Sequence, residues 1–564
     1  MEYVIAVVVI IMILGTKVFY DTKRMKEETI ALLKQRWGKV PECDYTDDKY
    51  QEIKKYYQTS VRKDTDIDET TWNDMDMDTV YERINNTSSS IGEEYLYALL
   101  HRLEYDIGEL KNRDRLIRIF QEQEEDRIKL QCALSYLGKL RGLSFYKNFG
   151  SMTEVKTNPV KHLLMGIGFL ASIIAMMISY ITSWHLGIFV ILFLAVLANN
   201  VIQYYRRKAQ IEKYYYVLSY VLKLLFSVEK LSELDIPALE DYQNHFKQVT
   251  EEFRTFRKRA KFVTGGNNMS GSLLDVIMDY IRMLFHVDLY MFDKMINQLI
   301  HASKTVQSLY EDIGYLDSMV AVASFRTMLQ GDYCTPVFLD RRKPALYAKG
   351  MYHPLITDPV KNTISEDRCV LITGSNASGK STFIKTTAMN AILAQTIYTC
   401  LCESYEATFF QIYSSMALTD NLMGKESYYI VEIKSLKRIL DRTQNGPFVL
   451  CFVDEVLRGT NTLERIAASS QILKTLAKRN VLCFAATHDI ELTYILERYY
   501  QNYHFQEEIA ENKVIFNYQL KSGRAQSRNA IKLLKMIGYP DEITEEASKE
   551  ANCFLSEGVW QVQK

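Results

Sequence analysis

From His162 to Tyr205 the chain carries no Asp, Glu, Lys or Arg. That is 44 residues, broken in the middle by the polar Thr182-Ser183-Trp184-His185. A single membrane-spanning helix needs about 20 apolar residues. The pattern therefore predicts a hairpin of two spanning helices joined by a very short outer turn. Lys156 and Lys161 precede it and Arg206, Arg207 and Lys208 follow it. The positive-inside rule puts both flanks on the cytoplasmic side. A buried soluble helical hairpin is the alternative, and so long an uncharged stretch speaks against it. A second apolar run, Tyr3 to Gly15, is short for a span. Lys17 can snorkel, and Val18, Phe19 and Tyr20 extend it. A cleaved signal peptide fits poorly, because no cation precedes the run and no small-x-small site follows. Three spanning helices are expected, with the N-terminus outside.

The pattern changes around these runs. Residues 21 to 160 and 206 to 340 read as charged, helical segments with few Pro or Gly. From Tyr347 onward, short β-branched runs alternate with helical ones, which is the signature of a parallel α/β domain. The expected organisation is an anchor (1–20), a cytoplasmic helical segment (21–160), the hairpin (161–205) and a second helical segment (206–340). An α/β domain (341–548) and a tail (549–564) follow.

Composition adds limits. The 564 residues are 48% hydrophobic, enough for several cores, and the net charge is −1. No global basic field of the kind found in nucleic-acid coat proteins exists. The nine Cys form no zinc pattern, and the close pair Cys400 and Cys402 has no matching second pair. They read as reduced, packing cysteines. Asp64 to Asp78 is acidic and turn-rich; lacking the Gly and Glu of a calcium loop, it reads as a solvated linker with helix caps. Gly265-Gly266 reads as a turn. Arg254, Arg257, Lys258, Arg259 and Lys261, interleaved with Phe253, Phe256 and Phe262, could touch phosphate or membrane. A solvated helix face explains them as well.

The chemistry concentrates after residue 369. Cys369 to Thr373 is an apolar run that delivers Gly374-Ser-Asn-Ala-Ser-Gly379-Lys380-Ser381, followed by a helical stretch. A strand, a glycine loop and a helix start are what backbone N–H groups need to wrap a triphosphate. Lys380 is expected on the β- and γ-phosphates and Ser381 on Mg²⁺. Gly374, Asn376, Ser378, Gly379 and Thr382 complete the expected ATP-binding set. Phe448 to Val453 is a buried-strand run closing on Asp454-Glu455. Asp454 is expected at Mg²⁺, and Glu455 at the attacking water. A third run, Val481 to Ala486, ends in Thr487-His488, and His488 can report the γ-phosphate.

These residues resemble a family. Thr373 to Thr382, Asp454-Glu-Val-Leu-Arg-Gly-Thr-Asn-Thr462 and Ala486-Thr-His-Asp-Ile-Glu-Leu492 resemble the ATPase domain of the MutS mismatch-repair family. Tyr352-His353-Pro354-Leu355 looks like the opening of that domain. Asp420 to Glu432 looks like its signature loop and helix. Tyr518 to Ala547 looks like its closing strand and dimerising helix-turn-helix. Upstream, Asn86 to Gly92, Asn112-Arg113 and Leu316-Asp317 resemble the start and end of the family's lever domain.

The resemblance implies an ABC-like P-loop ATPase domain with a mainly α-helical lever domain, working as a homodimer with composite sites. One subunit would supply Asn376, Lys380, Ser381, Asp454, Glu455 and His488; the other would offer Ser427 at a helix start. Lys425, Glu426 and Leu457 depart from the family's usual residues. No mismatch-reading domain is evident: Phe120-Gln-Glu122 fits the three-letter wedge pattern, but lies in a charged helical run. The sequence thus points to a multi-pass cell-membrane protein, embedded in the lipid bilayer, with a cytoplasmic Mg-ATPase. DNA is a partner by family analogy alone. An ATP-binding membrane scaffold or a transport-related ATPase is the alternative, although no Leu-Ser-Gly-Gly-Gln signature lies between Lys380 and Asp454.

Overall fold

The structure is a computed structural model. It describes residues 2–140, 144–152, 155–257, 260, 280–375, 378–416, 428–443, 447–457, 460–478, 480–510, 513–525, 530–558 and 560. The chain divides into two compact units. One comprises residues 1–62, 83–98 and 115–328. The other comprises 63–82, 99–114 and 329–564. The first is helical and the second is α/β.

The helical unit contains the apolar hairpin. Its helices are Pro159–Thr182 and Leu186–Ser232. Asn158 caps the first by accepting from the Lys161 N–H, with Pro159 in the first turn. Ser183 and His185 turn the chain in left-handed conformations at φ 53° and 45°. The second helix does not stop at the basic flank. It runs unbroken for 47 residues, and beyond Arg206 it buries Leu218, Val221, Leu224 and Val228 in the unit's core. Above the flank its apolar side chains face outward instead: Ile188, Ile191, Leu192 and Leu194 are exposed, as are Ile174, Met177 and Ile181 on the first helix.

Among the described residues two helices, not the three expected, are long and apolar enough to cross a membrane. The third expected span is the start of the helix Glu2–Arg36, whose side chains up to residue 15 lie outside the described residues. Its apolar run ends at Gly15, about 20 Å of helix against a hydrocarbon core of about 30 Å. It then continues as a charged helix through Lys17, Asp21 and Lys23.

An aromatic cluster fills the core of this unit. Tyr310 lies 4.8 Å from Tyr56 and 5.8 Å from Phe145 between ring centroids, and Phe145 lies 5.1 Å from Tyr220. The cluster encloses the Glu94 carboxyl, which accepts from the Tyr310 hydroxyl at 3.0 Å and the Phe145 N–H at 3.1 Å. Burial pushes this carboxyl up to about 8, outweighing the donors that favour its ionised form. A raised folded pKa means the protonated form is preferred in the fold. The contribution to stability is complete below the ordinary value of 4.5 and is lost as pH rises towards 8. Glu94→Gln should therefore flatten the pH dependence of thermal unfolding between these limits. At pH 8 it should be the more stable protein by on the order of a few kcal/mol.

Asp317 closes the same unit from the helix Ser303–Met328. It accepts from the Ser88 N–H at 3.0 Å, the Ser89 N–H at 2.9 Å and the Ser89 hydroxyl at 2.6 Å. The two segments singled out at residues 86–92 and 316–317 thus meet. Gly92 is required by this approach: a Cβ there would lie 2.2 Å from Asp317 Oδ2. Gly92→Ala should lower stability by about 2–4 kcal/mol, read as a fall in Tm, because a buried, triply bonded carboxylate must move.

The α/β unit holds two sheets. In the four-stranded one, β1 (Val337–Phe338), β5 (Ser404–Ala407), β2 (Leu346–Met351) and β3 (Asn362–Glu366) lie side by side in that order. The larger has six strands in the order β10 (Lys513–Ser522), β9 (Tyr500–Ala510), β4 (Cys369–Thr373), β8 (Val481–Thr487), β7 (Val449–Asp454), β6 (Gln411–Ser415). All neighbours are parallel except β9 and β10. Leu371, Cys451, Val453, Cys483 and Ala485 face the helices Tyr428–Arg442 and Thr462–Leu476 through Leu436, Ile439, Leu473 and Leu476. The alternate residues Ile372, Phe452 and Phe484 point the other way, to the side of the buried helix Lys380–Thr396.

The acidic stretch is not a solvated linker. Asp68 caps the helix Glu69–Asp74, as a cap reading requires, but Trp72 is buried and stacks on His101 with centroids 3.6 Å apart. Asp74 binds the edge strand β6, accepting from the Ser414 hydroxyl at 2.6 Å and the Met416 N–H at 3.0 Å. Thr71 Oγ1 takes the Ser414 N–H at 3.1 Å. The segment covers an edge that would otherwise offer unpaired backbone groups. Among the described residues no cluster of His, Cys, Asp or Glu could hold a metal ion by itself. Of the basic cluster, Arg257 pairs with Glu229, while Phe253 and Phe256 are core residues. Lys258, Arg259, Lys261 and the Gly265-Gly266 turn lie outside the described residues.

Candidate functional site

The strand order decides where the motifs meet. β8 lies between β4 and β7, and all three run parallel. The loop after β4, Asp454-Glu455 at the end of β7 and His488 at the end of β8 therefore emerge at one edge of the sheet, with His488 in the middle. Lys380, the first residue of its helix, sends Nζ to the carbonyls of Gly374 and Ser375, 2.9 Å each, and lies 3.4 Å from His488 Nε2. His488 Nε2 is 2.6 Å from Glu455 Oε1. Three residues from three distant motifs form one continuous contact chain.

The local backbone is specialised at the same edge. Gly374 has φ 151° and Gly379 φ 105°. A Cβ on Gly374 would lie 2.8 Å from the Phe505 carbonyl oxygen and 2.9 Å from Ser378 Oγ. Glu455 takes φ 54° and donates its N–H to the Ala486 carbonyl at 3.0 Å, which fixes its exit from β7. Leu457 follows at φ 61°, its N–H held by the buried Glu432 carboxylate from the helix Tyr428–Arg442. Arg465 grips Asp489 with two bonds, 3.0 and 2.6 Å, next to His488. Two buried oxygens here, Ser378 Oγ and Asp454 Oδ1, lack a hydrogen-bond partner among the described residues.

A cavity of about 590 Å³ opens over the loop. Ser378, Gly379, Lys380, Ser381, Thr382 and Glu455 line one part. Tyr352, His353, Ile356, Pro359, Phe505 and Tyr518 line the rest. Burial pulls the His353 imidazole below its ordinary value, with Lys385 acting in the same direction, so it is an uncharged ring near neutrality. A polar, glycine-lined end beside an aromatic one is a common layout of ligand pockets. Asn376 and Ser427 fall outside the described residues.

Several participants were not read as site residues from the sequence. Phe505 and Glu507 come from β9, and Ser375 Oγ donates to Glu507 at 2.8 Å. Tyr518, at φ 52° on β10, closes over Gly379. Their strands lie beyond the nucleotide motifs, and although Tyr518 opens the segment likened to the family's closing strand, only the sheet order brings them to the loop.

Comparison with known proteins agrees with this architecture. The family model MutS domain V matches residues 370–554. The DNA mismatch repair protein MutS of Thermotoga maritima is 32% identical over 248 residues, 42% of this chain and 30% of that protein. MutS of Thermus thermophilus is 30% identical over 252 residues, 44% of this chain and 30% of its own. MutS of Natronomonas pharaonis is 26% identical over 259 residues, 44% of this chain and 29% of its own. The chain thus spans about 30% of the length of the curated relatives it matches. Residues 370–554 thus match MutS domain V, and it is through this domain that the chain is related to the MutS family.

Proposed function

We propose that the chain is a membrane-tethered MutS-family ATPase, in which Mg-ATP binding and hydrolysis switch its helical part. The observation that carries this is the contact chain Lys380–His488–Glu455 beside a glycine loop. The residues fit a nucleotide and its metal. Lys380 donates to two backbone carbonyls of the loop, contacts a triphosphate would replace with stronger ones. Asp454 Oδ1 is a buried acceptor with no donor among the described residues, and Ser381 is in the first turn of the adjacent helix. Mg²⁺ suits one carboxylate plus phosphate oxygens, and when bound it neutralises charge on the transferring phosphoryl group. Glu455 would orient the attacking water and take its proton. His488, in contact with both Glu455 and Lys380, would sense the γ-phosphate. The aromatic end of the cavity would hold the base.

The membrane part rests on the exposed apolar hairpin. Soluble proteins rarely leave contiguous apolar faces of this size in water. Both flanks of the hairpin, and with them the ATPase domain, would lie in the cytoplasm. A homodimer with Ser427 completing the partner's site follows from family likeness, as does DNA. The relatives are named for DNA mismatch repair, and a role in repair is the corresponding proposal.

Full-length protein purified in detergent should release phosphate from ATP, and EDTA should stop it. Neither binding nor hydrolysis of ATP would defeat the reading. Salt titrations with mismatched, branched and plain duplex DNA separate a DNA clamp from an ATP-switched scaffold, because only the clamp shows a salt-dependent affinity.

A further inference from the structure

We propose that the base of the apolar hairpin is a binding pocket for the phosphate headgroup of an anionic phospholipid. This rests on the membrane reading above. A separate cavity of about 250 Å³ lies there, lined by Lys156, Lys161, Arg206 and Arg207 with Asn158 and Gln203. One carboxylate, Asp293, also lines it, and it is fully engaged. It accepts from Arg207 at 3.0 Å and from the Asn158 N–H at 2.7 Å. Arg207 donates further to the Lys156 carbonyl at 2.8 Å, which fixes the loop before the hairpin. Lys161 reaches Gln203 at 3.2 Å, tying the two helices in register. Lys156, Lys161 and Arg206 therefore border the cavity with no acidic partner among the described residues. Three uncompensated cations around one hollow are an anion site by Coulomb's law.

Position selects the lipid. From Lys161 to Thr182, and from Leu186 to Arg206, each helix rises about 30 Å, one hydrocarbon thickness. The cations of both helices thus sit at headgroup depth. Immediately above them Leu163, Leu164, Ile167 and Leu170 on one helix, and Ile202 on the other, are exposed. A cationic hollow continuous with an apolar wall matches a phosphate carrying acyl chains, whereas a free phosphate would use only the hollow.

The test is native mass spectrometry of the full chain in neutral detergent, titrated with phosphatidylglycerol or phosphatidylcholine. We expect preferential retention of phosphatidylglycerol, at least tenfold weaker in the double variant Lys156→Gln/Arg206→Gln, since each basic residue near a membrane surface contributes substantially. Lys223→Gln, an exposed cation further along the same helix, should change nothing. Equal retention of both lipids overturns the proposal. So does unchanged retention in the double variant with an unaltered circular dichroism spectrum, or displacement of the lipid by an equal concentration of inorganic phosphate. Flotation isolates the underlying reading. A chain that stays soluble without detergent and floats with neither type of vesicle defeats membrane insertion, and this pocket with it. A chain that floats with both but retains neither lipid selectively defeats the pocket alone.

Discussion

Lys380→Ala is expected to abolish measurable Mg-ATP hydrolysis and to weaken ATP binding by at least about 100-fold. Lys380 is buried, and its ammonium donates to the Gly374 and Ser375 carbonyls and lies close to His488. Such a group is poised to exchange neutral acceptors for charged ones as a triphosphate settles on the loop. The variant also loses two bonds that shape the empty loop, so a Tm measurement should accompany the assay. Lys380→Arg should not rescue it, because a planar fork cannot replace a compact point charge between two carbonyls and an imidazole. ATP affinity measured by calorimetry and phosphate release measured in parallel check both claims. Unchanged turnover in Lys380→Ala would remove the proposed role of the loop.

The interior of the α/β unit was legible because buried parallel strands read as continuous apolar runs. Cys369–Thr373, Val449–Asp454 and Val481–Thr487 are strands where such runs stand in the sequence. Their order along the chain also let Lys380, Glu455 and His488 be placed in one site. The strand β6 was not legible. Its residues Gln411, Ser414 and Ser415 look like a loop, and the partners of buried Ser414 are Thr71 and Asp74, more than 300 positions earlier. The same pairing explains why Asp64 to Asp78 misled: carboxylates read as solvated when their acceptor role lies far along the chain. Glu94 was invisible for a related reason, since its environment is built by Phe145 and Tyr310. The continuity of Leu186–Ser232 was masked by a composition change at Arg206 that alters what the helix faces but not its propensity. Phe505, Glu507 and Tyr518 needed the sheet order itself.

Glu455→Gln is expected to lower the hydrolysis rate by about 10²–10⁴-fold while ATP remains bound. The backbone argument comes first. Glu455 is pinned at φ 54° by its N–H on the Ala486 carbonyl, and neither feature depends on its charge. The amide is isosteric and keeps an oxygen to meet His488 Nε2 where Oε1 now lies at 2.6 Å. What it lacks is the ability to take a proton from water. Rate and affinity should therefore separate: kcat falls, while ATP binding, and any state that ATP binding stabilises, persists. Glu455→Ala should lose the His488 contact as well and weaken binding, so comparing the two variants divides positioning from proton transfer. His488→Ala, which removes the link to Lys380 but leaves the carboxylate, should fall between wild type and Glu455→Gln in rate. A Glu455→Gln variant with undiminished phosphate release would mean that another group activates the water. Parallel losses of rate and affinity would make Glu455 a structural member of the β7–β8 edge.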